Sequence, residues 1–158
     1  MHAKKISALY DLAMKTGAPV IGLVDCAGMR LQEATDALEA FGGIYLKQTM
    51  ASGMIPQITA VFGTCGGGMA VVPALTDFTF IESKKGKMFV NSPNALDGNY
   101  TEKCDTASAE FQSKETGLID AVESEEEILA EIRQLIGLLP SNFEDNDSFE
   151  ECTDDLNR

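Results

Sequence analysis

The sequence predicts an α/β domain built on parallel strands, and three observations carry that prediction. Two continuous apolar runs, Val20-Ile21-Gly22-Leu23-Val24 and Ile58-Thr59-Ala60-Val61-Phe62, have the length and β-branched content of strands buried on both faces. Segments with helical apolar spacing precede and separate them, the alternation that produces a parallel sheet. The second run ends in Gly63-Thr64-Cys65-Gly66-Gly67-Gly68, where strand gives way to a helical segment and glycines leave backbone N–H groups uncovered by side chains.

The elements follow in order. Ile6, Leu9, Tyr10 and Ala13 fall on one helical stripe, which Thr16-Gly17-Ala18-Pro19 ends before the first strand. After a loop at Asp25 to Arg30, apolar residues at Ala34, Leu38, Phe41 and Tyr45 repeat at helical spacing as far as Ser52-Gly53, where glycine takes a left-handed cap. The second strand covers Gln57 to Phe62, and a short helix runs from Met69 to Leu75. Shorter strands are expected at Phe78 to Glu82 and Met88 to Asn91, then a helix start at Ser92-Pro93. Ser124-Glu125-Glu126-Glu127 is a capping box ahead of Ile128, Leu129, Ile132, Leu135 and Ile136. Residues 140–158 hold seven acidic groups and Arg158 as their only base, so residues 1–140 are expected to form the domain and residues 141–158 an acidic linker or disordered tail.

Composition narrows the function. The 158 residues are 44% hydrophobic and 23% charged, enough for one domain with its own core. A net charge of −13 argues against a nucleic-acid surface, and the one basic cluster, Lys84-Lys85-Gly86-Lys87, reads as a solvated turn. No apolar stretch is long enough to span a bilayer and no signal-type cleavage site follows the N-terminus, so a cytoplasmic protein without membrane insertion is expected. Cys26, Cys65, Cys104 and Cys152 form no C-x-x-C pair, which points to reduced thiols and to no metal site. Cys65 lies beside the glycines without a distinct His or Asp partner, and the one histidine, His2, sits at the chain end.

Two loops matter together. Parallel strands deliver their following loops to one edge of the sheet, so Cys26-Ala27-Gly28-Met29-Arg30 and the turn at Gly66-Gly67-Gly68 are expected to face a common cleft. Glycines alone leave two readings open, a site for an oxyanion and a place where helix and strand pack closely.

The residues also carry a family resemblance. Gly17-Ala18-Pro19-Val20-Ile21-Gly22-Leu23, Arg30-Leu31-Gln32-Glu33, Ala51-Ser52-Gly53-Met54-Ile55-Pro56-Gln57, the glycine segment and Pro73-Ala74-Leu75-Thr76-Asp77-Phe78 occur in an order that resembles the carboxyltransferase family of biotin-dependent acyl-CoA carboxylases and decarboxylases. Met88-Phe89-Val90 with Pro93, then Leu139-Pro140-Ser141-Asn142, continue it. The resemblance implies a crotonase-like α/β fold of repeated β-β-α units, an acyl-CoA substrate and biotin on a carrier protein. It covers most of an N-terminal acyl-CoA domain, without that domain's opening strands and without the second domain that handles biotin. It therefore implies a second carboxyltransferase domain, a biotin carboxyl carrier protein and a homo-oligomer as partners, and an isolated fragment that is inactive.

Family chemistry passes through a thioester enolate, whose oxygen needs preorganised backbone donors and no side-chain base. By matching positions, those donors come from Ala27, Gly28 and Met29 and from Gly66, Gly67 and Gly68, with Cys26, Arg30 and Cys65 beside the substrate. The family commonly has two glycines where this chain has Ala27-Gly28. Arg30 and Glu33 either orient the loop or the CoA, or form an ion pair at a helix start; Asp25 is expected to cap a turn, and Asp77 to be structural.

Two alternatives remain. Enoyl-CoA hydratase or isomerase enzymes share the A-G-x-x-x-x-E pattern, here Ala27 to Glu33, but usually carry a glutamate where this chain has Ala70. A non-catalytic structural remnant that still assembles is the other.

Overall fold

The computed structural model describes residues 1–95, 105–145 and 154, and shows helices packed against a parallel sheet. Helix α1 spans His2–Thr16 and ends on Gly17, whose φ of 68° is the left-handed cap the sequence predicts. Strand β1, Val20–Cys26, leads through a short 3-10 turn at Leu31–Glu33 into α2, Ala34–Ala51. Gly53 follows α2 in the left-handed region at φ 75°.

Strand β2 is longer than expected, running over Gln57–Gly66 and taking in the first part of the glycine segment. Its neighbours explain why. Val24 of β1 pairs with Val61, but Cys26 pairs with Cys65, so β2 carries two extra residues across from Asp25. This bulge falls on Gly63, where an added Cβ would sit 2.3 Å from Asp25 Oδ1. Beyond the bend, Thr64, Cys65 and Gly66 pair with Lys87, Met88 and Phe89 of β4 (Lys87–Phe89). The straight part, Ile58 to Val61, pairs with β3, Phe78–Glu82.

A 3-10 turn at Gly67–Ala70 and a single α-helical turn, α3 (Val71–Ala74), connect β2 to β3. The basic cluster is a solvated turn only at Ser83, Lys84 and Lys85, where the Glu82 carboxylate accepts from the Lys84 and Lys85 amides, since Gly86 is buried and Lys87 belongs to β4. The helix start at Pro93 is a 3-10 turn, Pro93–Ala95. Helix α4 (Ala109–Glu115) and strand β5 (Ala121–Glu123) are short enough to leave no clear pattern in the sequence. Helix α5, Glu125–Leu138, begins with the full capping box between Ser124 and Glu127.

The sheet order is β1-β2-β3-β5, with β4 on the far end of β2, and every pairing between these strands is parallel. Ile58, Ala60 and Phe80 pack on Ile128 and Ile132 of α5, while Val24, Val61, Cys65, Ile81 and Met88 fill a second cluster. The expectation that β1 is buried on both faces is corrected. Among the described residues it is an edge strand with Ile21 and Leu23 exposed, while Val20 packs against the cluster of Tyr10, Ala13, Ala51 and Ile55. The buried side of α2 also differs from the apolar stripe: Ala37, Ile44, Gln48 and Ala51 face inward while Leu38 is exposed.

The start of the C-terminal segment folds back on the body. The Asn142 side-chain amide donates to the Gly17 carbonyl at 3.1 Å, and the Phe143 amide donates to the Met54 carbonyl at 3.0 Å. Residues 146–153 and 155–158 of the expected tail, with Cys104 and Cys152, lie outside the described residues.

Candidate functional site

The ends of β1 and β2 meet backbone against backbone. Gly28 adopts φ 117°, which only glycine takes without strain, and a Cβ there would sit 2.9 Å from the Gly66 carbonyl oxygen. The contact is reciprocal, since a Cβ on Gly66 would meet the Ala27 carbonyl oxygen at 2.7 Å and the Phe89 ring at 2.9 Å. Gly67 turns the chain into the helical segment at φ 58°, and a Cβ built on it lies 3.9 Å from the Gly28 Cα. The structure thus brings Ala27, Gly28, Gly66 and Gly67 together, as the shared edge of a parallel sheet requires.

Close packing of the glycines is seen at Gly66, against Ala27 and Phe89, and at Gly68, against Phe41 and Tyr45 of α2. The first N–H groups of a helical turn have no partner within it, the general condition under which such amides serve as donors. The 3-10 turn and α3 after Gly66 are short, so a long helix dipole adds little.

Asp25 holds the two loops in place. Its Oδ1 accepts from the Thr64 amide at 2.9 Å, tying the end of β1 to the bulge in β2. The expected turn cap is in fact this bridge between strands. Asp77 is structural in the same way, with its Oδ2 accepting from the Gln57 amide at 2.8 Å where β2 begins.

The residues expected beside the substrate separate. Cys26 is half-buried, with its thiol 3.5 Å from the Gly28 carbonyl oxygen. Met29 and Arg30 are exposed, and Arg30 pairs with Glu33 at 3.2 Å, the ion pair at a helix start. Cys65 points inward: its thiol is fully buried and donates to the Met69 carbonyl at 3.4 Å, so its side chain faces the core and not the cleft. Burial, with Cys26 adding a smaller effect, pushes the Cys65 thiol up to about 12. Ala70 is buried. Among the described residues, no three His, Cys, Asp or Glu side chains gather in a way that would hold a metal ion. No helix of the described residues is long and apolar enough to cross a membrane.

Two side chains that shape this edge are invisible to local sequence pattern. Tyr45 reaches from α2 to the Gly68 carbonyl, and Phe89 closes over Gly66 from β4. Their targets lie 23 residues away in each case, so only tertiary structure reveals the pairing.

A model of the carboxyl transferase domain matches residues 1–158. The chain is 40% identical over 162 residues to the methylmalonyl-CoA decarboxylase subunit alpha of Veillonella parvula, covering 100% of this chain and 32% of that protein. It is 37% identical over 169 residues to the propionyl-CoA carboxylase beta chain of Roseobacter denitrificans, covering 98% of this chain and 33% of that one. It thus spans about a third of the length of these relatives. Among solved structures, transcarboxylase 12S with hydrolysed methylmalonyl-coenzyme A bound superposes at a TM-score of 0.87 with 29% identity, over 97% of this chain and 30% of that one. The α/β architecture is accordingly crotonase-like.

Proposed function

The chain belongs to the carboxyl transferase domain family, and from that premise we propose that it forms the acyl-CoA half of a biotin-dependent carboxyltransferase. The observation that carries the reading is the meeting of Gly28 with Gly66 and Gly67, where two strand ends present bare backbone at one edge of the sheet. Removal or addition of a carboxyl group at the carbon beside a thioester develops negative charge on the thioester oxygen. Fixed amides in a site without bulky side chains stabilise that charge, and they need no reorganisation as it forms.

Ala27, Gly28 and Met29 supply one set of candidate donors, and Gly66, Gly67 and Gly68 the other. Cys26 and Arg30 flank the first set, the arginine being exposed and able to meet an anionic part of CoA. Cys65 contributes through its backbone. Biotin, carried by a partner protein, supplies the carboxyl group or receives it. The described residues offer backbone donors suited to an oxyanion, and the biotin ring is assigned to a second carboxyltransferase domain. Residues 1–140 are assigned to the acyl-CoA domain, and Asn142 and Phe143 of the segment that follows hydrogen-bond to its body. The protein works in the cytoplasm as a homo-oligomer.

Hydratase or isomerase chemistry gains no support from the position of Ala70, a buried methyl where a catalytic carboxylate would be needed. A non-catalytic remnant is opposed by the retention of both loops in contact. The test is Gly67→Val in the assembled carboxyltransferase. Turnover is expected to fall by roughly a hundredfold or more while acyl-CoA still binds, the loss typical of a disrupted oxyanion site. Unchanged turnover in the folded variant would overturn the assignment.

A further inference from the structure

Two side chains one turn apart on α2 reach across to the helical segment that follows the glycines. The Tyr45 hydroxyl donates to the Gly68 carbonyl at 2.5 Å, and the Gln48 side-chain amide donates to the Val72 carbonyl at 3.2 Å. The Gly68 carbonyl also accepts from the Val71 amide, so it is held from two sides. Phe41 and Tyr45 stack with centroids 6.0 Å apart and cover Gly68, where a Cβ would lie 3.0 Å from the Tyr45 oxygen and 3.4 Å from the Phe41 ring. Gln48 is itself braced, because Gln57 at the start of β2 donates to its main-chain carbonyl at 3.1 Å and both glutamines are fully buried.

We propose that Tyr45 is a positioning residue for the oxyanion-binding amides, acting through its hydrogen bond to the Gly68 carbonyl. The proposal rests on the reading of the glycine turn given above. Three consecutive glycines have the widest backbone freedom available to a chain, and an oxyanion site works only if its donors are already aimed. Holding the Gly68 oxygen fixes the peptide plane that closes the glycine turn, which limits the backbone freedom of Gly67 and Gly68 and so the directions of the amides assigned as donors. Gln48 holds the next turn at Val72, and together the two contacts make α2 a template for the segment. Burial raises the phenol of Tyr45 above its ordinary value, with Cys65 adding to it, so the hydroxyl keeps its proton throughout the neutral range. No other ionisable side chain is needed to keep the contact.

Tyr45→Phe removes the hydroxyl and retains the ring that stacks on Phe41. In the assembled carboxyltransferase, kcat is expected to fall roughly tenfold, the effect of one hydrogen bond that preorganises a site, while KM for acyl-CoA stays within about a factor of two. In this chain alone, amide exchange at Gly67, Gly68 and Met69 should accelerate while that of Ile58 to Val61 in β2 stays unchanged. Uniform acceleration through β2 with unchanged kcat would indicate loss of packing only and overturn the proposal, as would unchanged exchange at the glycines. Gly67→Val keeps the two readings apart. Turnover lost there but retained in Tyr45→Phe overturns positioning alone, whereas turnover that survives both overturns the oxyanion reading beneath it.

Discussion

A thiol beside a glycine turn suggests a nucleophile, and the surroundings of Cys65 decide against it. The side chain is fully buried among Val24, Val61 and Met88, and its proton is directed at the Met69 carbonyl. With the thiol pushed up from 9.0 to about 12, the thiolate is absent at neutral pH. The shift also has a stability consequence whose sign is fixed. Above pH 9 the unfolded chain releases this proton while the folded chain keeps it, so the folded state binds more protons and stability falls as pH rises towards 12. Below pH 9 the contribution is complete. Urea unfolding of the wild type should therefore lose stability between pH 8.5 and 10.5 more steeply than Cys65→Ala, by up to about 1.4 kcal/mol per pH unit from this group. Parallel slopes in the two proteins would show that the thiol titrates normally. Turnover in the assembled Cys65→Ala variant should persist, and its abolition without unfolding would restore the thiol to the chemistry.

Local signals made most of the secondary elements readable, and α5 is the clearest case. Ser124 Oγ accepts from the Glu127 amide while the Glu127 carboxylate accepts from the Ser124 amide at 3.0 Å, the reciprocal bonds that S-x-x-E announces. Ser124→Ala removes one of them and should destabilise the domain by about 1 kcal/mol, visible as a lower urea midpoint with an unchanged m-value. An unaltered midpoint would mean that packing of Ile128 and Ile132 alone sets the helix start. Features decided by distant partners were not readable in the same way. Glycines at 63 and 66 look like loop residues, yet Asp25 and the pairing with β4 draw them into β2. The inward side of α2 is chosen by α1, the start of β2 and α3, so a buried Gln48 displaces Leu38 from the expected stripe. At the site, the convergence of the two strand-end loops followed from parallel topology alone. The inward turn of Cys65 did not, because one residue of register on a bulged strand reverses which face a side chain meets.

At the scale of the molecule, the question is what covers the surface that this chain leaves apolar. Leu9 and Leu12 on α1 are 62% and 56% exposed, Leu38 and Leu46 on α2 are 58% and 59% exposed, and Leu23 on β1 is 58% exposed. Scattered exposed leucines are ordinary, but five on α1, α2 and β1 leave apolar area on more than one side of the chain, and exposed apolar surface favours association. Charge restrains it, since a net −13 opposes contact between copies and salt should screen that repulsion. We therefore expect the isolated chain to form dimers or trimers at physiological salt and to shift towards monomer at low ionic strength, as read by light scattering. A strictly monomeric chain at every salt concentration would reject association. Catalysis is expected to differ from assembly. Under the proposed function the candidate donors at Gly28 and Gly66 to Gly68 would serve one side of a reaction with two substrates, so the isolated chain should bind acyl-CoA weakly and transfer no carboxyl group. Carboxyl transfer from carboxybiotin to several acyl-CoA thioesters, assayed with this chain alone, checks that expectation. Sustained turnover would show that these residues hold both substrates and that the division into an acyl-CoA half and a biotin half is wrong.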